Sequence, residues 1–500
     1  MLKTQTVTAI LHRSRINITS SSSLPATASK MSTTENAIRA HPPRDPPEEL
    51  RQQRPQQATG AYFPLGYKEA AYQWWSSVTP SMAERNVLKH IPFLKEATTS
   101  MGSLSAADPT DTFGTRIWRR SMVQLSGKNR ALNEFSVERV GEEPEETLVM
   151  VHGYGAGLGF FYKNFEPISR IPGLKLYALD MLGMGNSSRP PFKIHAKDRE
   201  GKVIEAENWF IDALEEWRKA RKIERFTLLG HSLGGYLAVS YALKYPGHLK
   251  KLILASPVGI PEDPYAVNAA LPEPGESTMQ NEFTVDQQTT TKNGAAVAPR
   301  RPYPNWLVWL WDANVSPFSI VRMAGPLGPR FVSGWTSRRF NHLPAEEAQT
   351  LHDYSFSIFK QKGSGEYALA YILAPGAFAR RPVINRIQNV GRQPIKGPDG
   401  QTVSKETGIP VVFMYGENDW MDVAGGLASE EKLKQVKANI MRTGTEEEKR
   451  NENGSCKIVI IPKAGHHLYL DNAEFFNNIM RKEMEDVKET EKRKRAAASS

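Results

Sequence analysis

The sequence predicts an α/β fold: a doubly wound, mostly parallel central sheet with helices on both faces and a helical cap inserted partway along the chain. Three observations predict it. Short apolar runs alternate with segments of helix length both before residue 256 and after residue 382, which is how a parallel sheet reads. Between those limits the alternation stops. The apolar runs also end in turns rich in Gly, Ser, His and Asp, where a sheet of this kind gathers its functional side chains.

Residues 1–34 carry Lys3, Arg13, Arg15 and Lys30 without an acid and are rich in Ser and Thr. This is the composition of a mitochondrial transit peptide, and Met31 offers a second start. Residues 35–60, rich in Pro and Gln, read as a disordered linker. Residues 61–115 form a helical extension, in which Tyr67–Lys95 reads as amphipathic helix interrupted at Pro80 and Pro92. Residues 116–140 alternate as two antiparallel edge strands, and residues 116–255 make the first part of the core. In it, Thr147–Val151, Leu174–Leu179, Phe226–Leu229 and Leu249–Ala255 read as strands. Residues 203–222 and Leu233–Tyr245 read as helices.

Residues 256–382 form the cap, with a disordered stretch over 261–304, an aromatic stretch over 305–325 and helices near Ala345–Lys360 and Tyr367–Ala379. The core resumes over 383–488 with strands Ile409–Tyr415 and Lys457–Ile461 and helices Glu430–Ile440 and Glu474–Lys488. Residues 489–500 are a basic tail.

Of the net charge of +10, the acid-free first 34 residues hold +4 and Glu491–Arg495 hold +3. The remaining body is near neutral, which excludes a broad nucleic-acid face. Basic tails suit an anionic membrane surface, and no apolar run is long enough to span a bilayer. The single cysteine, Cys456, rules out an intrachain disulfide and opens a run that reads as a buried strand.

The chemistry centres on Gly230-His231-Ser232-Leu233-Gly234. G-x-S-x-G between a strand and a helix is the nucleophile elbow. Gly230 and Gly234 let neighbouring backbone pass closely while Ser232 takes a strained conformation. A serine hydroxyl needs an adjacent base. His466 follows the final strand and is the expected base, with His467 as its rival. Asp419, just past another strand, is the expected acid, with Asp422 and Glu417 behind it. The order Ser, Asp, His is that of α/β-hydrolases and not of chymotrypsin or subtilisin. The amides of Leu233 and Tyr154 are placed as oxyanion donors. The glycines at 153, 155, 157 and 159 do not fit a nucleotide loop. Neither a metal nor a cofactor is expected. Trp306, Trp309 and Trp311 are read as acyl-chain contacts in the cap.

With HGYG at 152–155, DMLGMGNS at 180–187, GHSLGG at 230–235, GEND at 416–419 and AGHHLYLD at 464–471, the chain resembles the α/β-hydrolase fold family over Leu148–Met484. Within it, the chain is most similar to a lipid-handling subgroup. That subgroup includes the mitochondrial cardiolipin-specific deacylase, lysophosphatidic acid acyltransferases and lipase co-activators of lipid droplets. The resemblance implies a serine hydrolase or acyltransferase acting on phospholipid acyl chains, and the expected reaction is removal of acyl chains from phospholipids, cardiolipin among them. The expected location is peripheral on the inner mitochondrial membrane, with the cytoplasm or a lipid droplet as the alternative. The resemblance leaves open an acyl-CoA-dependent acyltransferase and a non-catalytic regulator of another lipase. It also supplies an H-x4-D pattern, His466 to Asp471, read in this subgroup as an acyltransferase signature; Asp471 has an alternative role as N-cap of the final helix.

Overall fold

The computed structural model describes residues 64–94, 111–263, 309–311, 313–397 and 399–499. The transit-peptide, linker and 264–308 readings, and with them Trp306, lie outside the described residues. Eight strands form the central sheet: β1 (Arg116–Gln124), β2 (Ala131–Arg139), β3 (Glu146–Val151), β4 (Leu174–Leu179), β5 (Phe226–His231), β6 (Leu249–Ala255), β7 (Pro410–Gly416) and β8 (Ser455–Ile461). Their spatial order is β1-β2-β4-β3-β5-β6-β7-β8. β1–β2 and β2–β4 are antiparallel, and every other pair is parallel. Strands buried on both faces read as continuous apolar runs, which is why β4 and β6 fall where the sequence places them.

The helices that cover the sheet include α3 (Tyr162–Ile168), α4 (Arg199–Ala220), α5 (Leu233–Lys244), α9 (Val423–Thr443) and α10 (Ala473–Ser499). The extension supplies α1 (Tyr67–Ser76) and α2 (Pro80–Leu88), and the cap supplies α6 (Pro317–Met323), α7 (Gly328–Arg339) and α8 (Ala345–Phe359). No helix among the described residues is long and apolar enough to cross a membrane.

Several expectations are corrected. Of the two strands expected at the edge, only β1 is one; β2 lies inside, paired to β4. At the opposite edge, β8 is half-buried rather than buried, with Cys456 partly exposed. Burial pushes the Cys456 thiol up to about 12, so it is an unreactive thiol. The break expected at Pro80 falls over residues 77–79, and Pro80 itself opens α2. Thr79 caps it, accepting from the Met82 amide, and a proline at the first helical position loses no hydrogen bond. The stretch 367–379 is a short 3₁₀ turn and a single helical turn, followed by a hairpin of Leu373–Ala374 with Phe378–Ala379. Gly376 at φ +90° makes that turn, a conformation that ends any helix there. A second small hairpin pairs Pro394–Lys396 with Thr402–Lys405. The basic tail continues α10, with Glu491 pairing Arg225 and Lys494.

The extension is fastened to the core by a buried polar cluster. Glu84 on α2 accepts from Asn133 Nδ2 and Asn186 Nδ2, both at 2.8 Å, and pairs with Arg120 at 2.7 Å. Asp180, at the end of β4, accepts from the same Asn133 at 2.8 Å and from the Leu158 and Asn186 amides. The loop 180–187 is thus cross-braced to both β2 and the extension.

Candidate active site

The site is built at the C-terminal ends of β3, β5, β7 and β8. Ser232 stands between β5 and α5 at φ 53°, ψ −117°. Two glycines make this turn sterically feasible: a Cβ on Gly230 would lie 2.3 Å from the Gly234 carbonyl oxygen, and one on Gly234 would lie 2.5 Å from that of His152. Real Cβ atoms do not approach backbone so closely, so neither position accepts a larger residue without moving the loop.

His466 enters from the loop after β8. Its Nε2 lies 3.0 Å from Ser232 Oγ, and its Nδ1 lies 3.2 Å from Asp419 Oδ1. Asp419 is fully buried at its side chain. Burial opposes its charge, but the His466 ring holds its carboxyl below the usual carboxylate range. It therefore stays ionised where it meets the imidazole. The two rival acids are committed elsewhere. Glu417 accepts from the Lys463 amide, and Asp422 caps α9 through the Ala424 amide.

Tyr154 and Leu233 line the same cavity as Ser232. Leu233 is the first residue of α5, where the amide has no intrahelical acceptor. The loop carrying Tyr154 presses on the serine: a Cβ on Gly153 would lie 2.9 Å from Ser232 Cβ. His152 braces this loop, donating from Nδ1 to Gly153 O at 2.7 Å and accepting the Met181 amide at Nε2. Burial lowers its pKa to about 4, so it serves as a neutral brace.

Two neighbours escaped the sequence reading. His231 donates from Nε2 to the His466 carbonyl oxygen at 2.9 Å, clamping the loop that carries the base. Only its place inside the G-x-S-x-G motif hinted at it. The Trp420 ring packs 5.0 Å from that of His466.

Trp309 and Trp311, two of the three tryptophans expected as acyl contacts, do not line this cavity. Trp309 is 66% exposed, and Trp311 is buried in the core with its Nε1 donating to Leu373 O. The apolar wall of the cavity is Phe318, Trp335, Phe359, Leu369 and Leu373. Phe318 is stacked between Tyr154, at 5.1 Å, and Phe359, at 4.4 Å. These rings narrow the cavity above Ser232. Asp471 is not the N-cap of α10; Asn472 accepts the Phe475 amide there.

A strained serine, an imidazole within hydrogen-bond reach and a buried carboxylate behind it, set on this sheet order, define an α/β-hydrolase with a serine site. The chain belongs to the alpha/beta hydrolase fold family, whose model matches residues 146–473. It is 33% identical over 73% of its length, and 72% of the relative's, to 1-acylglycerol-3-phosphate O-acyltransferase of Arabidopsis thaliana. It is 30% identical to 1-acylglycerol-3-phosphate O-acyltransferase ABHD5 of Mus musculus, covering 72% of this chain and 82% of that one. It is also 30% identical to the (lyso)-N-acylphosphatidylethanolamine lipase of Bos taurus, covering 67% and 77%. It is an enzyme that hydrolyses or transfers acyl groups of lipids.

Proposed function

We propose that the protein hydrolyses acyl esters of glycerophospholipids, cardiolipin among them, through an acyl-enzyme on Ser232. The observation that carries this reading is the hydrogen-bonded line Ser232–His466–Asp419 beneath an apolar wall. Ser232 Oγ attacks the ester carbonyl carbon while its proton passes to His466 Nε2. The Tyr154 and Leu233 amides take the oxyanion charge. His466 returns the proton to the departing alcohol oxygen. A water molecule then attacks the acyl-serine, with His466 again as base, and releases the fatty acid.

The relatives named as 1-acylglycerol-3-phosphate acyltransferases favour a second reading, in which a lysolipid hydroxyl replaces that water. Cardiolipin as substrate is supported by the motif resemblance and the basic tails. The full-length protein, given cardiolipin, N-acylphosphatidylethanolamine or labelled acyl-CoA with lysophosphatidic acid, is expected to release free fatty acid from the phospholipids. Labelled phosphatidic acid in excess of free fatty acid would establish transfer instead. No turnover of any of them would leave a lipase-regulating binding protein.

The exposed Tyr72 and Trp75 of α1, with Met323 and Phe331 of the cap, support seating on a membrane surface, since such aromatics favour the interface. Localisation to mitochondria is supported by the composition of residues 1–34. Import of residues 1–40 fused to a reporter tests it, and a reporter left in the cytosol would refute it.

Phe318→Ala removes one ring from the cavity wall. It is expected to raise turnover of long-chain relative to short-chain p-nitrophenyl esters, because the space becomes continuous with the cap. An unchanged chain-length ratio would take Phe318 out of the acyl path.

A further inference from the structure

Three side chains beside the triad form a second polar line that the reaction as described does not use. Asp471 grips Arg339 of the cap helix α7 with both oxygens, at 2.9 and 3.1 Å. Its Oδ2 also accepts the Gly465 amide at 2.9 Å. Arg339 in turn donates from Nε to His467 Nδ1 at 2.8 Å. A guanidinium can only donate, so Nδ1 is an acceptor and the proton of the neutral ring sits on Nε2.

His467 is buried and lines the cavity with Ser232, Leu233 and Tyr154. Among the described residues its Nε2 meets no acceptor, although Nδ1 is fully engaged. Burial and the nearby charge of Arg339, with His231, His466 and His342 around it, keep the ring from gaining a second proton. The cavity wall therefore carries one N–H of fixed orientation that no group among the described residues accepts.

The acceptors on an acyl ester of a glycerophospholipid are few. The carbonyl oxygen has its own donors at Tyr154 and Leu233, and the acyl chain has none to offer. What remains are the oxygens of the alcohol side, in the glyceryl and phosphate groups.

We propose that His467 binds substrate, donating its Nε2–H to an oxygen of the glyceryl or phosphate group beside the ester, with Arg339 setting its tautomer and Asp471 holding Arg339. The inference rests on the phospholipid reading above. It gives the aspartate of the H-x4-D pattern a role as a positioning residue acting through the cap. Asp471 is neither a second catalytic acid nor a helix cap. It also makes cap and catalytic loop interdependent: only with α7 in place does His467 present its proton to the cavity.

The test compares His467→Ala and His467→Gln in the full-length protein, since glutamine keeps an N–H at nearly the position of Nε2. Phospholipid hydrolysis and fluorophosphonate labelling of Ser232 are measured in parallel. The alanine variant should lose about tenfold in kcat/KM, the worth of one buried hydrogen bond, and glutamine should stay within about threefold of the unchanged protein. Labelling, which involves no headgroup, should be the same in all three. Alanine and glutamine variants of equal activity, whether high or low, would overturn the proposal. Asp471→Ala should lower hydrolysis in the native background and not further in His467→Ala. Equal losses in both backgrounds would make Asp471 merely structural. An unchanged protein that turns over no phospholipid, yet labels at Ser232, counts against the substrate class instead.

Discussion

Replacing Ser232 by alanine is expected to lower acyl-ester turnover by about 10⁴-fold or more, and Asp419→Asn by about 10⁴-fold. The two losses have different causes. Without Oγ there is no atom to carry the acyl group. With asparagine the geometry survives, but an amide nitrogen facing His466 Nδ1 favours the imidazole tautomer whose proton is on Nε2. The ring can then no longer take the proton of Ser232 Oγ, 3.0 Å away. Asp419 is suited to its role because it stays ionised while buried. Measured on a soluble p-nitrophenyl ester, the two variants should keep the thermal midpoint of the unchanged protein within a few degrees. A Ser232→Ala protein with a tenth or more of native turnover would place the chemistry elsewhere.

The second large effect concerns stability. Glu84→Ala should cost about 3–5 kcal/mol, because it leaves Arg120, Asn133 and Asn186 without their shared acceptor in a buried site. Glu84→Gln should be far milder. Burial, and then the charge of Asp180 close by, push Glu84 up to about 7. Asp180 is raised as well, by burial above all. The sign follows directly. An unfolded glutamate releases its proton near 4.5, whereas folded Glu84 keeps it to about 7. Across that window Glu84 holds more of a proton in the native state, so its contribution to stability falls as pH rises from about 4.5 to about 7. Buried His152 and His352, whose pKa values are lowered, contribute with the opposite sign, so the thermal midpoint of the native protein should fall across this range relative to that of Glu84→Gln. Identical slopes would remove Glu84 as the group responsible.

What was legible in the sequence follows from where physics acts locally. The strands Leu174–Leu179 and Leu249–Ala255 are largely apolar and flanked by turns, so their ends are sharp. The serine elbow is dictated by steric limits at Gly230 and Gly234, which any chain must obey. Sequence position alone does not separate Asp419 from Glu417 and Asp422, since all three follow one strand end. Only the path of the loop shows that two of them satisfy nearby amides. The cap was read least well. Trp309 and Trp311 stand two residues apart in an aromatic run, yet one faces outward and the other enters the core. The rings that do wall the cavity, Phe318, Trp335 and Phe359, come from three separate helices whose packing no local pattern encodes. The hydrogen bond from His231 to the His466 carbonyl is likewise a product of tertiary folding.

The central claim is that Ser232 is an activated nucleophile supported by His466 and Asp419. Intact-mass spectrometry of the full-length protein after treatment with a fluorophosphonate tests it most directly. One adduct per chain, mapped to Ser232 and lost in both Ser232→Ala and His466→Ala, is the predicted result. An unmodified native protein, or an adduct that persists when His466 is replaced, would contradict it.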